Sequence, residues 1–520
     1  MIKFRNLLTI GKVGNFGEGT TPEQDLELCP DLIKQSDESH EFLLGKLADG
    51  HDIYGATTGF GSSSGNRFDA SMSRKLQRNL YTFHGCGVGD FFNEQECAAI
   101  LLVRLNCLTY GASGVSGELL QHLALMARHR IFPAIPCQGS VGASGDLTPL
   151  SYLAAAMAGE RKVYFKSEMR DTSEVYQELG IEPYKFKERE ALAIMNGTSA
   201  MSAIAALAVQ RTRRFANAAC MLSGMLTELL QGRTAAFLPE LHQQKPHPGQ
   251  LEAAHNIFTF LKDPYERLIH GAEGDRLYNK NKGIQDNYSV RCAPHVIGVL
   301  YETLSWAEPI IEREVNSVND NPVLIKDREM VLNGGHFFGG HIAQVCDSLK
   351  MAVAQVVNLL DRQMALLMGP CNAAYLSENL VARKELGEEA CINHGFKAMQ
   401  ITMSALAAEI VKNAAPMGTL SRPTESNNQD VVSMGTIAAR DLNRMNQDSR
   451  FPLAILGMAI TQGFYIAEEK GYELQLSNKG QDTLEQLKSV FQKLLEDRAM
   501  DSEIHQMVDF LFDWARKNHD

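Results

Sequence analysis

Across its 520 residues the chain has no basic stretch dense enough to grip a nucleic acid and no CxxC pair. A membrane-spanning helix, which needs roughly 18 apolar residues, is not expected. Runs such as Ala98 to Val103 are cut short by charges, here Arg104. Acidic side chains outnumber basic ones by 62 to 50, for a net charge of −12, which argues against a nucleic-acid partner. Met1 to Phe16 carries basic residues but no continuous apolar stretch before Gly11 and Lys12, so it makes a poor signal peptide. The ten cysteines, spread from Cys29 to Cys391, read as reduced thiols, and those in apolar helical patterns, such as Cys220 and Cys346, as small core residues. Disulfide scaffolds and zinc ribbons are thereby excluded, and a soluble, cytoplasmic protein without membrane or metal is expected.

What is present is an ordinary globular composition, 44 % hydrophobic and 22 % charged. Gly and Ser cluster at 55–65, 111–117 and 139–145, marking loops in a mixed first third. A short strand is expected near Val163 to Lys166. Beyond it Val345, Leu349, Val353, Val356, Leu360, Met364 and Leu367 recur at intervals of three or four. Phe396, Met399, Met403, Leu406 and Ile410 do the same until Pro416. Such spacing lays an apolar stripe along one helix face, and several such helices imply a bundle. The fold expected is mainly α: a mixed domain over 1–215, a long central helical bundle over 216–475 and a helical tail over 476–520.

The most informative stretch is Gly139-Ser140-Val141-Gly142-Ala143-Ser144-Gly145-Asp146-Leu147-Thr148-Pro149-Leu150. Thr148 suits an N-cap and Pro149 a first helical position, which places Ala143-Ser144-Gly145 just ahead of a helix N-terminus. Such a terminus favours developing negative charge. The chain carries its own control, since Ala112-Ser113-Gly114 repeats the tripeptide without the Asp-Leu-Thr-Pro that follows the other. Context must therefore decide.

That context resembles the aromatic amino acid ammonia-lyases and aminomutases, the family of histidine, phenylalanine and tyrosine ammonia-lyases. Six segments carry the likeness in the family's order: Tyr54-Gly55-Ala56-Thr57-Thr58-Gly59-Phe60-Gly61, the Ala-Ser-Gly segment, Asn196-Gly197-Thr198, Gln285 through Cys292, Asn319-Asp320-Asn321-Pro322, and Asn428 through Met434. The resemblance implies a fumarase/aspartase-like helical architecture and a homotetramer with active sites shared between subunits. It implies also that Ala143, Ser144 and Gly145 cyclise into a 4-methylideneimidazol-5-one (MIO) group. Such a group is an electrophile made from the chain itself, needing no added cofactor or metal.

The resemblance assigns roles. Tyr54 would take the β-proton, which requires positive electrostatics to stabilise a phenolate whose ordinary pKa is about 10. Asp146 would help the cyclisation, Phe337 would lie beneath the MIO segment, and Tyr288 would assist proton or ammonia handling. Arg291 would hold the substrate carboxylate with its planar fork, aided by hydrogen bonds from Asn196 and Gln285. Phe83-His84 occupies the pair that reads the substrate ring, with an apolar wall and a group able to hydrogen-bond a phenol or an imidazole. Gln429 stands where histidine lyases have a Glu, which disfavours histidine. His336 and Phe338 also depart from the family's Gly-Gly-Asn-Phe-His. The expected reaction is L-tyrosine to p-coumarate and ammonia, with phenylalanine, histidine and a tyrosine 2,3-aminomutase as alternatives. Gly61-Ser62-Ser63-Ser64-Gly65-Asn66 begins like the fumarase/aspartase loop but lacks its Met-Pro and Lys. A non-catalytic helical scaffold is the remaining alternative.

Overall fold

The computed structural model describes residues 2–4, 7–21, 26–68, 72–262, 285–369, 375–473 and 475–519. Long helices dominate, with short strands confined to small sheets. Two compact units emerge. The first gathers Met1–Gln210, Trp306–Asp347 and Pro416–Asn443; the second gathers Arg211–Ser305, Ser348–Ala415 and Arg444–Asp520. This differs from the three consecutive stretches expected at 1–215, 216–475 and 476–520. Two segments far along the chain, 306–347 and 416–443, belong with the N-terminal part, and the tail belongs with the helices before it. Sequence-local composition does not reveal such returns of the chain.

The first unit is built around Glu94–Leu108, a helix buried from Glu96 through Leu108. A helix apolar nearly all round has no solvent face to keep and seeks the interior. Its start is fixed by a capping box in which Asn93 Oδ1 accepts from the Glu96 N–H and Glu96 returns a bond to the Asn93 N–H. Such a cap contributes about 1 kcal/mol. Arg104, read from sequence as the end of an apolar run, is itself buried inside this helix. The strand expected near Val163 is Lys162–Phe165, the middle strand of an antiparallel three-stranded sheet with Phe132–Pro133 and Glu168–Asp171.

In the second unit the apolar stripes lie inside. Leu349, Val353, Val356, Leu360, Met364 and Leu367 are all buried. Along Lys397–Lys412 only one face is: Met403 and Ile410 are buried while Ile401 is 66 % exposed. The tail comprises two helices, Asn478–Val490 and Asp501–His519, the second burying Met507, Leu511 and Trp514. Gly435–Glu469 is long and apolar enough to cross a membrane, yet 83 % of its most apolar window is buried within the protein, as in a core helix. None of the nine described cysteines is in a disulfide, and Cys220 and Cys346 are core residues.

Candidate active site

Ser144 sits in a sharply bent loop. Its φ is +47° and that of Gly145 is +76°, two successive residues in the left-handed region. An L-residue resists this conformation, and it persists only where surroundings over-determine it. The surroundings here are the 196–197 segment. The Gly197 N–H donates to the Ser144 carbonyl at 3.2 Å, and the Asp146 N–H donates to the Gly197 carbonyl at 2.8 Å. A Cβ on Gly145 would meet the Gly197 carbonyl oxygen at 2.1 Å, so no larger residue fits.

The helix after this loop starts earlier than expected. It runs Leu147–Met157 with Asp146, not Thr148, at the N-cap, and the Asp146 side chain makes no capping bond. The reason is tertiary: its carboxylate is fully buried and accepts from Ser140 Oγ at 3.2 Å, from the Met201 N–H at 2.8 Å and from Thr436 Oγ1. Burial pushes its pKa up to about 6, against the lowering effect of those donors. A carboxyl so placed exchanges protons near neutrality.

Ser144 opens into a cavity of about 570 Å³ whose walls come from the first unit, among them Tyr54, Ala143, Asn196, Phe337 and Gln429. Phe338, where the family carries His, adds an apolar face to this wall. An adjoining apolar pocket of about 400 Å³ shares Tyr54, Ser144 and Gln429, and adds Phe83 and His84. The rings of Phe83 and His84 lie 4.3 Å apart, and burial pushes the imidazole down to about 4, leaving it neutral at physiological pH. Gln429 is turned toward the loop rather than free for a ligand: its Nε2 donates to Ser144 Oγ at 3.2 Å and its Oε1 accepts from Thr424 Oγ1 at 3.1 Å.

Two of the expected site residues are already engaged within the first unit. The resemblance has Asn196 contribute hydrogen bonds near the substrate carboxylate and the MIO carbonyl; here Nδ2 donates to Asp320 Oδ1 and to the Asn321 carbonyl, each at 2.9 Å, which leaves Oδ1 to accept. The turn it holds is part of a buried charged network in which Arg189 pairs with Asp320 at 2.9 Å and Arg104 donates to the Asn196 carbonyl at 3.1 Å. As a base Tyr54 needs positive charge to stabilise its phenolate. Its hydroxyl accepts from the Gly61 N–H at 2.9 Å, but burial raises its pKa most and the Glu425 carboxylate raises it further. The Gly61 N–H and Arg189 oppose this without reversing it, so the side chain is a neutral phenol at neutral pH.

Gln285, Tyr288 and Arg291 belong to the second unit. Gln363 Nε2 donates to the Ser289 carbonyl at 3.0 Å, and the Arg233 N–H donates to Asp286 at 2.7 Å, so the backbone is anchored. Tyr288, by contrast, is 72 % exposed, Gln285 is exposed, and the Arg291 guanidinium lies 4.6 Å from the Tyr288 ring centroid. Among the described residues no group of three His, Cys, Asp or Glu could hold a metal ion. Sequence reasoning missed Ser140, Thr436, Thr424 and Glu425. Ser140 lay inside the informative segment, whereas the other three reach the site through tertiary contacts and carried no sequence signal.

Residues 8–489 match the family model described as aromatic amino acid lyase. The chain is 34 % identical to the histidine ammonia-lyase of Gloeobacter violaceus over 489 residues, covering 94 % of this chain and 91 % of that one. It is 35 % identical to the tyrosine ammonia-lyase of Cupriavidus metallidurans over 493 residues, 91 % of each. The structure of tyrosine aminomutase from Streptomyces globisporus superposes with a TM-score of 0.89 at 32 % identity, covering 98 % of this chain and 97 % of that one. Fold and relatives together define a carbon–nitrogen lyase. The chain belongs to the aromatic amino acid lyase family.

Proposed function

We propose that the protein eliminates ammonia from an aromatic L-amino acid, L-tyrosine foremost, giving p-coumarate. The observation that carries this reading is the bent Ala143-Ser144-Gly145 loop opening beside Tyr54 into a cavity with an adjoining apolar pocket. The loop fits an MIO group. Ring closure needs the Gly145 nitrogen to turn back on the Ala143 carbonyl carbon, and consecutive φ values of +47° and +76° are such a turn. In place, the group supplies an electrophile toward the substrate amine.

The chain's own residues do the rest. Asp146, with a pKa of about 6, holds or releases a proton during cyclisation. Tyr54 Oη takes the β-proton once positive charge lowers its pKa. In a homotetramer with shared sites that charge is Arg291 of a neighbouring copy, which also binds the substrate carboxylate beside Gln285, while Tyr288 handles the departing proton or ammonia. Ile401, an apolar side chain left 66 % exposed on the outer face of Lys397–Lys412, supports such an assembly. Asn196 Oδ1 accepts from the substrate, Phe337 backs the Ser144 loop, and Phe83 with the neutral His84 receives the ring. A neutral imidazole hydrogen-bonds a phenol without burying a charge. The protein acts in the cytoplasm, its thiols reduced.

A second reading, histidine, is favoured by one observation: the Glu425 carboxylate lies on the wall of the ring pocket, where an imidazole N–H could donate to it. Chromatography of products from L-tyrosine, L-phenylalanine and L-histidine, with Ser144→Ala as blank, tests both. p-Coumarate with ammonia is the expected result. Urocanate as main product would replace tyrosine by histidine, cinnamate would replace it by phenylalanine, and β-tyrosine would mean a mutase.

A further inference from the structure

The 424–429 turn touches both sides of the reaction centre. Gln429, at its end, donates to Ser144 Oγ at 3.2 Å. Glu425, at its start, receives two bonds from one residue of the Tyr54 loop: the Ser62 N–H donates to Oε2 and Ser62 Oγ donates to Oε1, both at 2.8 Å. The residue before Ser62 is Gly61, whose N–H is the donor to the Tyr54 hydroxyl. The turn is closed by reciprocal backbone bonds between Thr424 and Gln429, at 3.0 and 3.3 Å. Glu425, Ser426 and Asn427 all have positive φ, at +53°, +55° and +62°. Three successive L-residues in the left-handed region form a costly stretch, and such stretches persist where something nearby holds them.

We propose that Glu425 is a positioning residue, clamping Ser62 so that the Gly61 N–H stays on the Tyr54 hydroxyl and the 424–429 turn holds Tyr54 and Ser144 at a fixed spacing. The role given to Tyr54 rests on the proposed lyase chemistry; the clamp itself does not. A carboxylate that takes both donors of one serine is engaged as a clasp. Its charge has a second effect, since it opposes ionisation of Tyr54. The other charged or titratable groups around that phenol are Arg189, which favours ionisation, and Asp52, Asp430 and His84 on the walls of the two cavities.

The test compares Glu425→Ala, Glu425→Gln and Ser62→Ala with wild-type protein, after thermal unfolding has shown each to be folded. Amide hydrogen exchange over 59–66 is expected to speed up about tenfold in Glu425→Ala, the loss of a charge-assisted hydrogen bond. Glu425→Gln, which keeps an acceptor oxygen, restores part of that protection, and Ser62→Ala loses less. With L-tyrosine, Glu425→Ala lowers kcat by about the same factor while KM stays within about twofold, the pattern of lost transition-state positioning. The ionisation of Tyr54, read as the ultraviolet titration difference against Tyr54→Phe, moves to lower pH in Glu425→Gln, which sheds the charge and keeps an acceptor, but not in Glu425→Ala, where the Gly61 N–H that favours the phenolate more strongly than Glu425 opposes it is released as well. Unchanged exchange over 59–66 would overturn the clamp. A KM change confined to one amino acid would overturn it too, making Glu425 a ring ligand. If the wild-type protein turns over no amino acid, the lyase reading fails, while exchange and the Tyr54 titration still decide whether Glu425 holds the loop.

Discussion

The two Ala-Ser-Gly tripeptides share a sequence and differ in everything around it. At Ala112-Ser113-Gly114 every carbonyl is engaged: Ala112 O accepts from the Leu324 N–H at 2.9 Å, Ser113 O from the Arg189 guanidinium, and Gly114 O pairs with His40 Nδ1 at 2.9 Å. Ser113 is only 2 % exposed, and of the three residues Gly114 alone has a positive φ, +67°. At Ala143-Ser144-Gly145 both Ser144 and Gly145 are left-handed, and Ser144 faces a cavity. One copy has become a satisfied buried turn. The other is bent so that its ends approach each other, with an acid of raised pKa as the next residue. The tripeptide thus confers no chemistry by itself; the bend and the neighbouring carboxyl do.

The largest effect that would sharpen this contrast is at the two serines. Ser144→Ala is expected to lower turnover by about 10³-fold or more, as losing a reacting group does, while Ser113→Ala stays within about twofold. The near-ultraviolet difference spectrum should separate them as well, with absorbance lost only in Ser144→Ala. Equal losses in both would show that the two loops are not distinguished as described. Next come the glycines. Gly145→Ala drives a methyl into the Gly197 carbonyl, whereas at Gly114 the nearest atoms are side-chain ends of Leu324 and Leu43 at 3.1 Å, which can give way. Urea unfolding should show about 3–5 kcal/mol lost at Gly145 and about 1–2 kcal/mol at Gly114, where only the left-handed strain is added.

Helix periodicity made the second unit readable, because stripes such as Leu349 to Leu367 follow from the chain's own geometry. The ordered motifs made the family readable, and with it the loop around Ser144. What stayed hidden depends on contacts distant in sequence. The helix start at 147 could not be placed because Asp146 answers to Thr436 and Met201 instead of to its own first turn. That the Asn196 amide also holds the 320–321 turn depends on residues more than 120 positions away. Tyr54 needs positive charge to act as a base, yet here burial raises its pKa most, the Gly61 N–H opposes that, and Glu425, 371 positions along the chain, raises it further. Residue type announces chemistry, and the direction of a pKa shift is written in the packing.

The smallest effect bears on that last point, through pH. Asp146 binds its proton more tightly in the folded protein, near pH 6, than in the unfolded chain, near 3.8. Between those values the unfolded state has given up a proton that the folded state retains, so folding stability falls as pH rises through this window and levels off above it. The fall attributable to this group is on the order of 3 kcal/mol. In Asp146→Asn nothing titrates at that position, so the difference in unfolding free energy between variant and wild type should change by this amount between about pH 4 and 6 and stay flat above. The tripeptide at 112–114 has no counterpart, because Val115 follows Gly114 where Asp146 follows Gly145. A difference that does not vary with pH would mean that Asp146 is ionised as readily as any exposed carboxylate. The contrast between the two loops would then rest on backbone shape alone.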